Sequence, residues 1–420
     1  MKYYLLIPQT VKDNWDGIEE FVRNKNIKAY NEDYLKEIIS LIALHTRKDN
    51  NSAKLNNTYL RKFVPSAEQY LKALIEIGVI YRSDYYTVGS DSYSYSFTDT
   101  FKSKYVKEGL HNDKLEYRIR KVHNEFTSNY TVSSSNRVDT VKYLYQLTVD
   151  SSYINYIETN YSEDVDRYNS FISSATRIEN KDWTVKVDDT SYRLHTNVTN
   201  MKSDLRQFLR INDTPLVNID IKNSQPFCSI LLLTDPSKAI EFATDTELKD
   251  ILQTERIGRN ADVSKYIDLV VSGGFYEHIM CELNKEGINL TRDEAKKETL
   301  RWLFRPNTEP ICNLSRQIRN KFISEFPTVH RYFSLLRGNN AISDKFKNYC
   351  RFAILLQRIE SYMVLELIVK RILKEYPKTA LLTIHDSIMT LYTTSLPPIL
   401  SIINDTVQSY IGYRPTLKIE

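Results

Sequence analysis

Two short apolar runs that each end in aspartate decide how this chain is read. They are Leu216-Val217-Asn218-Ile219-Asp220 and Thr379-Ala380-Leu381-Leu382-Thr383-Ile384-His385-Asp386. Both have the aliphatic and β-branched content of a strand. The second continues as Ser387-Ile388-Met389-Thr390-Leu391, which puts Asp386 at the turn of a hairpin. Side by side in one sheet, the two strands bring their carboxylates to one edge, where hard cations such as Mg²⁺ find oxygen ligands. Two such ions about 4 Å apart serve in-line nucleotidyl transfer, one activating the attacking oxygen and the other stabilising the leaving oxygen. Taken singly, an aspartate at a strand end is ordinary turn chemistry. The pair gains meaning from what lies between.

Between the two strands runs Arg292-Asp293-Glu294-Ala295-Lys296-Lys297-Glu298-Thr299-Leu300-Arg301-Trp302-Leu303-Phe304. As a helix it places Arg292, Lys296, Leu300 and Phe304 on one slowly drifting face. Two cations followed by an aliphatic and an aromatic side chain suit a nucleoside triphosphate, the cations on phosphate and the apolar end on the base. Residues 285–321 hold nine Lys/Arg against five Asp/Glu, an excess equal to the whole chain's +4. A solvated helix laced with i,i+4 pairs is the bland alternative, and the flanking aspartates weigh against it.

The rest of the composition narrows the class. A chain of 420 residues has length for two to four domains, at about 100–200 residues each. With 41% hydrophobic and 26% charged residues it is neither collagenous nor wholly disordered. Lys+Arg 57 against Asp+Glu 53 excludes a bulk-charged nucleic-acid coat, so any nucleic-acid contact comes from local patches. Cys228, Cys281, Cys312 and Cys350 lie far apart with no CxxC, which argues against a zinc knuckle or disulfide scaffold and for a reducing, cytoplasmic setting. No apolar run nears the roughly 18–20 residues that span a bilayer, and no cleavage site follows the short apolar start, so neither a membrane partner nor a signal peptide is expected. The 30 tyrosines suit half-buried strands and base stacking equally.

Along the chain, an amphipathic pattern at Leu35, Ile38, Ile39 and Ile42 predicts a helix. A second helix is expected from Pro65, with Ser66 and Gln69 as a capping box, Tyr70, Leu71, Leu74 and Ile77 inward, and Gly78 as its stop. A hairpin with a turn at Gly89-Ser90-Asp91-Ser92 follows. Helices followed by a hairpin resemble a winged helix. Residues 106–185 read as polar and mostly helical, with VDTVKYLYQL and DVDRYNSFISSATRI the clearest segments. Short strands begin after Asp182. Scattered His45, His111, His123, His278 and His330 have no metal spacing.

Four blocks, taken in order, resemble the family A nucleic-acid polymerases, the group of repair-type DNA polymerases and single-subunit phage-type RNA polymerases. Asp220-Ile221-Lys222-Asn223-Ser224-Gln225-Pro226 resembles the first palm motif. Arg292-x3-Lys296-x3-Leu300-x3-Phe304 resembles the fingers-helix motif. Thr383-Ile384-His385-Asp386-Ser387 resembles the second palm motif. Upstream, Tyr192-Arg193-Leu194-His195-Thr196, with Asn197, Asn200 and Arg206-Gln207-Phe208, is similar to the R-L-S-S…N-x2-N…R-x-x-F segment. A weaker fifth block, Gln357-Arg358-Ile359-Glu360-Ser361, falls where the family has a template-contacting Gln. The resemblance covers roughly residues 185–420.

That resemblance implies an α+β right-hand polymerase fold, with palm, fingers and thumb and an N-terminal winged-helix-like domain. The layout would be 1–105 accessory domain, 106–185 helical thumb-like region, 186–240 and 341–420 palm, and 241–340 fingers. Asp220 and Asp386 would be ligands of two Mg²⁺ ions (Mn²⁺ as a substitute), with the Ile221 carbonyl as a further ligand. Arg292 and Lys296 would hold the triphosphate, and Lys296 would also serve catalysis by protonating pyrophosphate. Leu300 and Phe304 would pack at the nucleotide, and Gln225 would filter the sugar. Arg193, His195, Ser224, Gln357 and His385 would touch primer or template. These are the parts phosphoryl transfer needs.

Several positions depart from the family pattern. Arg305 follows Phe304 where a Gly is usual, Leu300 replaces an aromatic, and Gln225 stands where DNA polymerases have Glu. Ser224 and Ser387 look more like the RNA-polymerase branch, while Arg193-Leu194-His195-Thr196, Gln225 and Phe304 favour DNA synthesis. The expected protein is a small DNA polymerase without a proofreading exonuclease, acting on DNA primer-template and nucleoside triphosphates for a phage or mobile element in a bacterial host. The alternatives are a single-subunit RNA polymerase or primase, a metal-dependent nuclease, and a non-enzymatic DNA-binding initiator with a degenerate polymerase fold.

Overall fold

The strand Thr214–Ile221 carries the first aspartate and anchors the sheet that matters most. In this computed structural model, which describes residues 2–47, 51–83, 92–128, 141–258, 260–339, 350–392 and 396–420, the chain forms two compact units. The first comprises Met1–Ser133, Leu144–Val185 and Thr196–Pro215; the second comprises Ser134–Tyr143, Lys186–His195 and Leu216–Glu420. Residues 1–105 therefore lie in one unit with the described part of 106–185 apart from 141–143, and the expected palm and fingers stretches lie in the other apart from 196–215.

In the first unit the strand Tyr4–Pro8 pairs antiparallel with Tyr105–Gly109. The helix Glu32–His45 is capped by the Asn31 side chain, which accepts from the N–H groups of Asp33 and Tyr34. A strand Ser52–Lys54 follows, then helices Asn57–Leu60 and Ala67–Glu76, then strands Ile80–Arg82 and Ser94–Phe97. Ser94–Phe97 lies between Ser52–Lys54 and Ile80–Arg82 in the sheet. Of the expected hairpin turn only Ser92 falls among the described residues. The expected capping box at Ser66 does not form. Ser66 has φ −101° and ψ 28°, outside the extended region from which a cap hydroxyl reaches the first turn. Nor does the described part of the VDTVKYLYQL segment stay helical: Leu144–Gln146 is a 3₁₀ turn and Leu147–Val149 a strand. Its β-branched Val149 and Thr148 pair with Leu209–Ile211, and tertiary pairing overrides the weak helical period. Val165–Glu179 is the expected helix.

In the second unit, Leu216–Asp220 pairs antiparallel with Ser387–Leu391, which in turn pairs with Leu381–Ile384. The Leu417–Ile419 strand covers the other side of Ile219–Ile221. Both aspartate strands thus lie in one sheet, but not side by side: Ser387–Leu391 runs between them, and the hairpin turn brings Asp386 back to the end of the Asp220 strand. The helix Ser224–Thr234 is buried almost all round, as its apolar composition requires. It packs with Arg351–Ser361 and the helical run that continues to Glu375. Tyr266 centres an aromatic cluster, with Phe275, Phe322, Phe326 and Phe333 ring centroids 5.4–5.9 Å away. Among the described residues no helix is long and apolar enough to cross a membrane.

Candidate active site

Register fixes the two aspartates. Asp220 is the antiparallel partner of Ser387, and on its other side it faces Lys418. Ile384 pairs with Ser387, so His385 and Asp386 form a two-residue hairpin turn. His385 takes φ 53°, the left-handed conformation that such turns need and that glycine usually supplies. A bulky residue held there marks a site over-determined by its surroundings.

The helix Arg292–Leu303 begins with a capping box in which Thr291 and Glu294 satisfy each other's N–H groups. Ala295, Thr299, Trp302 and Leu303 are buried, with Trp302 against Phe322 at 5.3 Å. Burying that face turns Arg292, Lys296 and Leu300 the other way. Glu277 accepts from Arg292 Nε at 2.6 Å, and the guanidinium lies 5.9 Å from the Tyr276 ring.

Asp220, Ile221, Ser224, Gln225, Arg292, Lys296, Leu300 and Asp386 line one cavity of about 380 Å³, together with Lys222, Asn223, Tyr276, Glu277 and Lys418. Eight of the residues singled out from sequence meet there. Phe304 does not. It caps the end of the helix and packs against the core. Steps of four residues rotate about 40° each, so after three steps the face has turned by about 120°. Gln357 is half-buried on the Arg351–Ser361 helix and does not line the cavity. His195 and His385 are also outside its wall, their rings meeting edge-on with centroids 5.5 Å apart.

Arg193 sits in a turn stapled by Asp188, whose carboxylate accepts from Thr190 N, Ser191 N and Ser191 Oγ. Its guanidinium is committed to Glu360. Glu360, 1% exposed, also accepts from Ser224 Oγ at 2.7 Å and from Gln225 Nε2 at 2.5 Å. This buried carboxylate joins three of the predicted site residues, and sequence reasoning gave it no role. Its one signal was an acid inside an otherwise apolar helical run.

Electrostatics tie the acids together. Burial raises Asp386 to about 8, helped by the charges of Glu360 and Asp220. Burial likewise raises Asp220, against the pull of Lys296. Among the described residues no group of three or more His, Cys, Asp or Glu is arranged to hold a metal ion. Asp220 and Asp386 nonetheless line one open cavity with Ile221, and oxygen donors of this kind suit a cation such as Mg²⁺, which keeps several waters and shares substrate phosphate oxygens.

No family model matches the chain, and no curated protein matches it. Among solved structures, the chain is similar to the POL domain of Pol1 from M. smegmatis in complex with DNA primer-template and dNTP, at 9% identity and a TM-score of 0.33. The match covers 99% of this chain and spans 66% of that one. A likeness this slight carries no argument.

Proposed function

We propose that the second unit carries the active site of a template-directed nucleotidyltransferase, a small DNA polymerase. The observation that supports this is the meeting of Asp220 and Asp386 with Arg292, Lys296 and Leu300 in one cavity. When bound, Mg²⁺ would supply Lewis-acid stabilisation of the attacking and leaving oxygens, held by Asp220, Asp386 and the Ile221 carbonyl. The side chains do the rest. Arg292, braced by Glu277, and Lys296, exposed on the next turn, bind the triphosphate. Lys296 donates a proton to the departing pyrophosphate oxygen. Leu300 offers apolar surface to the base.

In the first unit, the order helix, strand, two helices and hairpin, with the first strand against the second hairpin strand, supports a winged-helix-like reading. The exposed face of its Ala67–Glu76 helix carries Glu68, Gln69, Lys72 and Glu76, two acids against one base. That charge disfavours phosphate contact, so this helix has no proposed DNA-reading role.

Primer extension with Mg²⁺, supplying dNTPs and rNTPs separately, with and without primer, tests the reading. Extension from dNTPs that disappears in Asp386→Ala supports it. Primer-free product from rNTPs makes the protein an RNA polymerase or primase. No product with DNA binding retained leaves a binding protein and ends the catalytic assignment of Asp220 and Asp386.

A further inference from the structure

Asn223 presents an anomaly at the cavity wall. It is only 7% exposed, yet neither its amide oxygen nor its amide nitrogen has a hydrogen-bond partner. Buried polar groups in folded proteins are almost always paired, so an unpaired buried carboxamide calls for an explanation. The usual role for an Asn directly before a helix is to cap it from an extended backbone. Asn223 instead takes φ 54° and ψ 38°, in the left-handed region, and its side chain makes no cap bond to the Ser224–Thr234 helix. Pro226 in the first turn has no N–H to satisfy. The fold thus spares the amide from its ordinary local work and leaves it on the wall of the cavity that holds Asp220 and Asp386.

The neighbouring amide is not equivalent. Gln225 commits one N–H of its Nε2 to Glu360, which anchors the side chain, although its Oε1 is buried without a partner. Asn223 is the amide on this stretch with neither its nitrogen nor its oxygen engaged.

Resting on the nucleotidyltransferase reading, we propose that the Asn223 carboxamide hydrogen-bonds a sugar hydroxyl of the incoming nucleotide and so reads the sugar. A nucleoside triphosphate has three parts. Its phosphates match the cations Arg292 and Lys296, and its base matches Leu300. The sugar remains, beside the segment that carries Asp220. A hydroxyl is donor and acceptor at once, and a carboxamide offers both. A phosphate oxygen only accepts, and would leave the amide oxygen unpaired.

Two substitutions separate chemistry from backbone. Asn223→Gly removes the amide at a left-handed position that glycine adopts freely. Asn223→Asp keeps the shape and removes the donor. The measurement is kcat/KM for ATP, dATP and 2′,3′-dideoxyATP in primer extension, beside the rise in Tm that each nucleotide gives without divalent cation. In Asn223→Gly the preference for a nucleotide bearing the hydroxyl over one lacking it should fall about tenfold. A fall in the ATP/dATP ratio assigns the 2′-hydroxyl, and a fall in the dATP/dideoxyATP ratio the 3′-hydroxyl. Both ratios unchanged, with wild type active, overturn the inference and leave the polymerase reading standing. A wild type that extends nothing, but whose hydroxyl-dependent Tm rise is erased by Asn223→Gly, sinks the polymerase reading and keeps the hydrogen bond. No extension and no binding overturn both.

Discussion

Asp220 stands directly opposite Ser387 across an antiparallel pair, so the turn that carries Asp386 abuts the end of the strand that carries Asp220. Burial raises Asp386 to about 8, with the charges of Glu360 and then Asp220 adding to it. A carboxyl raised above its unfolded value of 3.8 makes stability fall with rising pH wherever the folded state alone holds the proton. The contribution is complete below about 3.8, is lost progressively as pH rises, and is gone above about 8. In metal-free buffer, Asp386→Asn should therefore lose less Tm than wild type between pH 6 and 9. Parallel thermal-melt curves for the two proteins would count against the strained carboxylate pair.

On the proposed reading the same proton would compete with a cation. Metal binding to Asp220 and Asp386 must expel it, so affinity rises with pH until Asp386 ionises on its own. Mg²⁺ or Mn²⁺ should raise Tm more at pH 8 than at pH 6, chelation should reverse the rise, and Asp386→Asn should abolish it. Calorimetry adds a second check, because heats measured in buffers of different ionisation enthalpy should report proton release near pH 7.

The helix Arg292–Leu303 gives opposite predictions for two residues that sequence puts on one face. Lys296→Gln should lower kcat/KM for nucleotide at least about tenfold, since a cation facing phosphate is lost. Phe304→Ala should leave nucleotide KM within about twofold and instead cost about 1–3 kcal/mol of stability, because its half-buried ring packs on the core and not on the cavity. Steady-state kinetics with urea unfolding separates the two.

Much of this site was legible because it is local. The strand-end aspartates, the Asp220–Gln225 segment and the four-residue spacing of Arg292, Lys296 and Leu300 are short-range patterns, and over two steps that spacing stays close enough to the helix period to keep the three side chains on one cavity wall. Phe304 lies one step further on, where the drift of a four-residue spacing from the helix period has turned it off that wall. Glu360 was hidden because its partners Arg193 and Ser224 lie 167 and 136 residues away. The free amide of Asn223 was hidden because only the left-handed backbone reveals that it does not cap its helix. Ser66 misled in the opposite direction, since a capping-box spelling says nothing of the φ and ψ that decide whether the hydroxyl reaches.

The first unit has its own pH dependence. Burial pushes His45 down to about 3, with the positive charges of Arg177, His123 and Arg47 adding to it. A histidine depressed in the folded state binds its proton only on unfolding, so stability is lost as pH falls from about 6.5 towards about 3. His45→Phe removes the titrating group while keeping an aromatic ring against Tyr59, which His45 meets edge-on at 5.6 Å. The variant should keep more of its Tm than wild type on going from pH 7 to pH 4. An equal loss in both would move the acid sensitivity elsewhere.

Glu360 and Arg193 form the pair with the largest expected cost of disruption. Glu360 is 1% exposed and holds Ser224, Gln225 and Arg193 at once. Removing one partner of a buried ion pair strands the other, at about 3–5 kcal/mol, whereas removing both together costs much less than the sum. Glu360→Ala and Arg193→Ala should each destabilise by that order, and the double variant should show a coupling of at least about 1 kcal/mol in urea unfolding. Glu360→Gln discriminates further. It keeps an acceptor for Ser224 and Gln225 but gives up the charge that holds Arg193 and repels Asp386. Loss of that repulsion should lower the pH at which Asp386 ionises, so the cation-induced rise in Tm should set in at lower pH in Glu360→Gln than in wild type. If the onset stays put while stability drops, Glu360 supports the wall of the cavity without tuning the acid inside it.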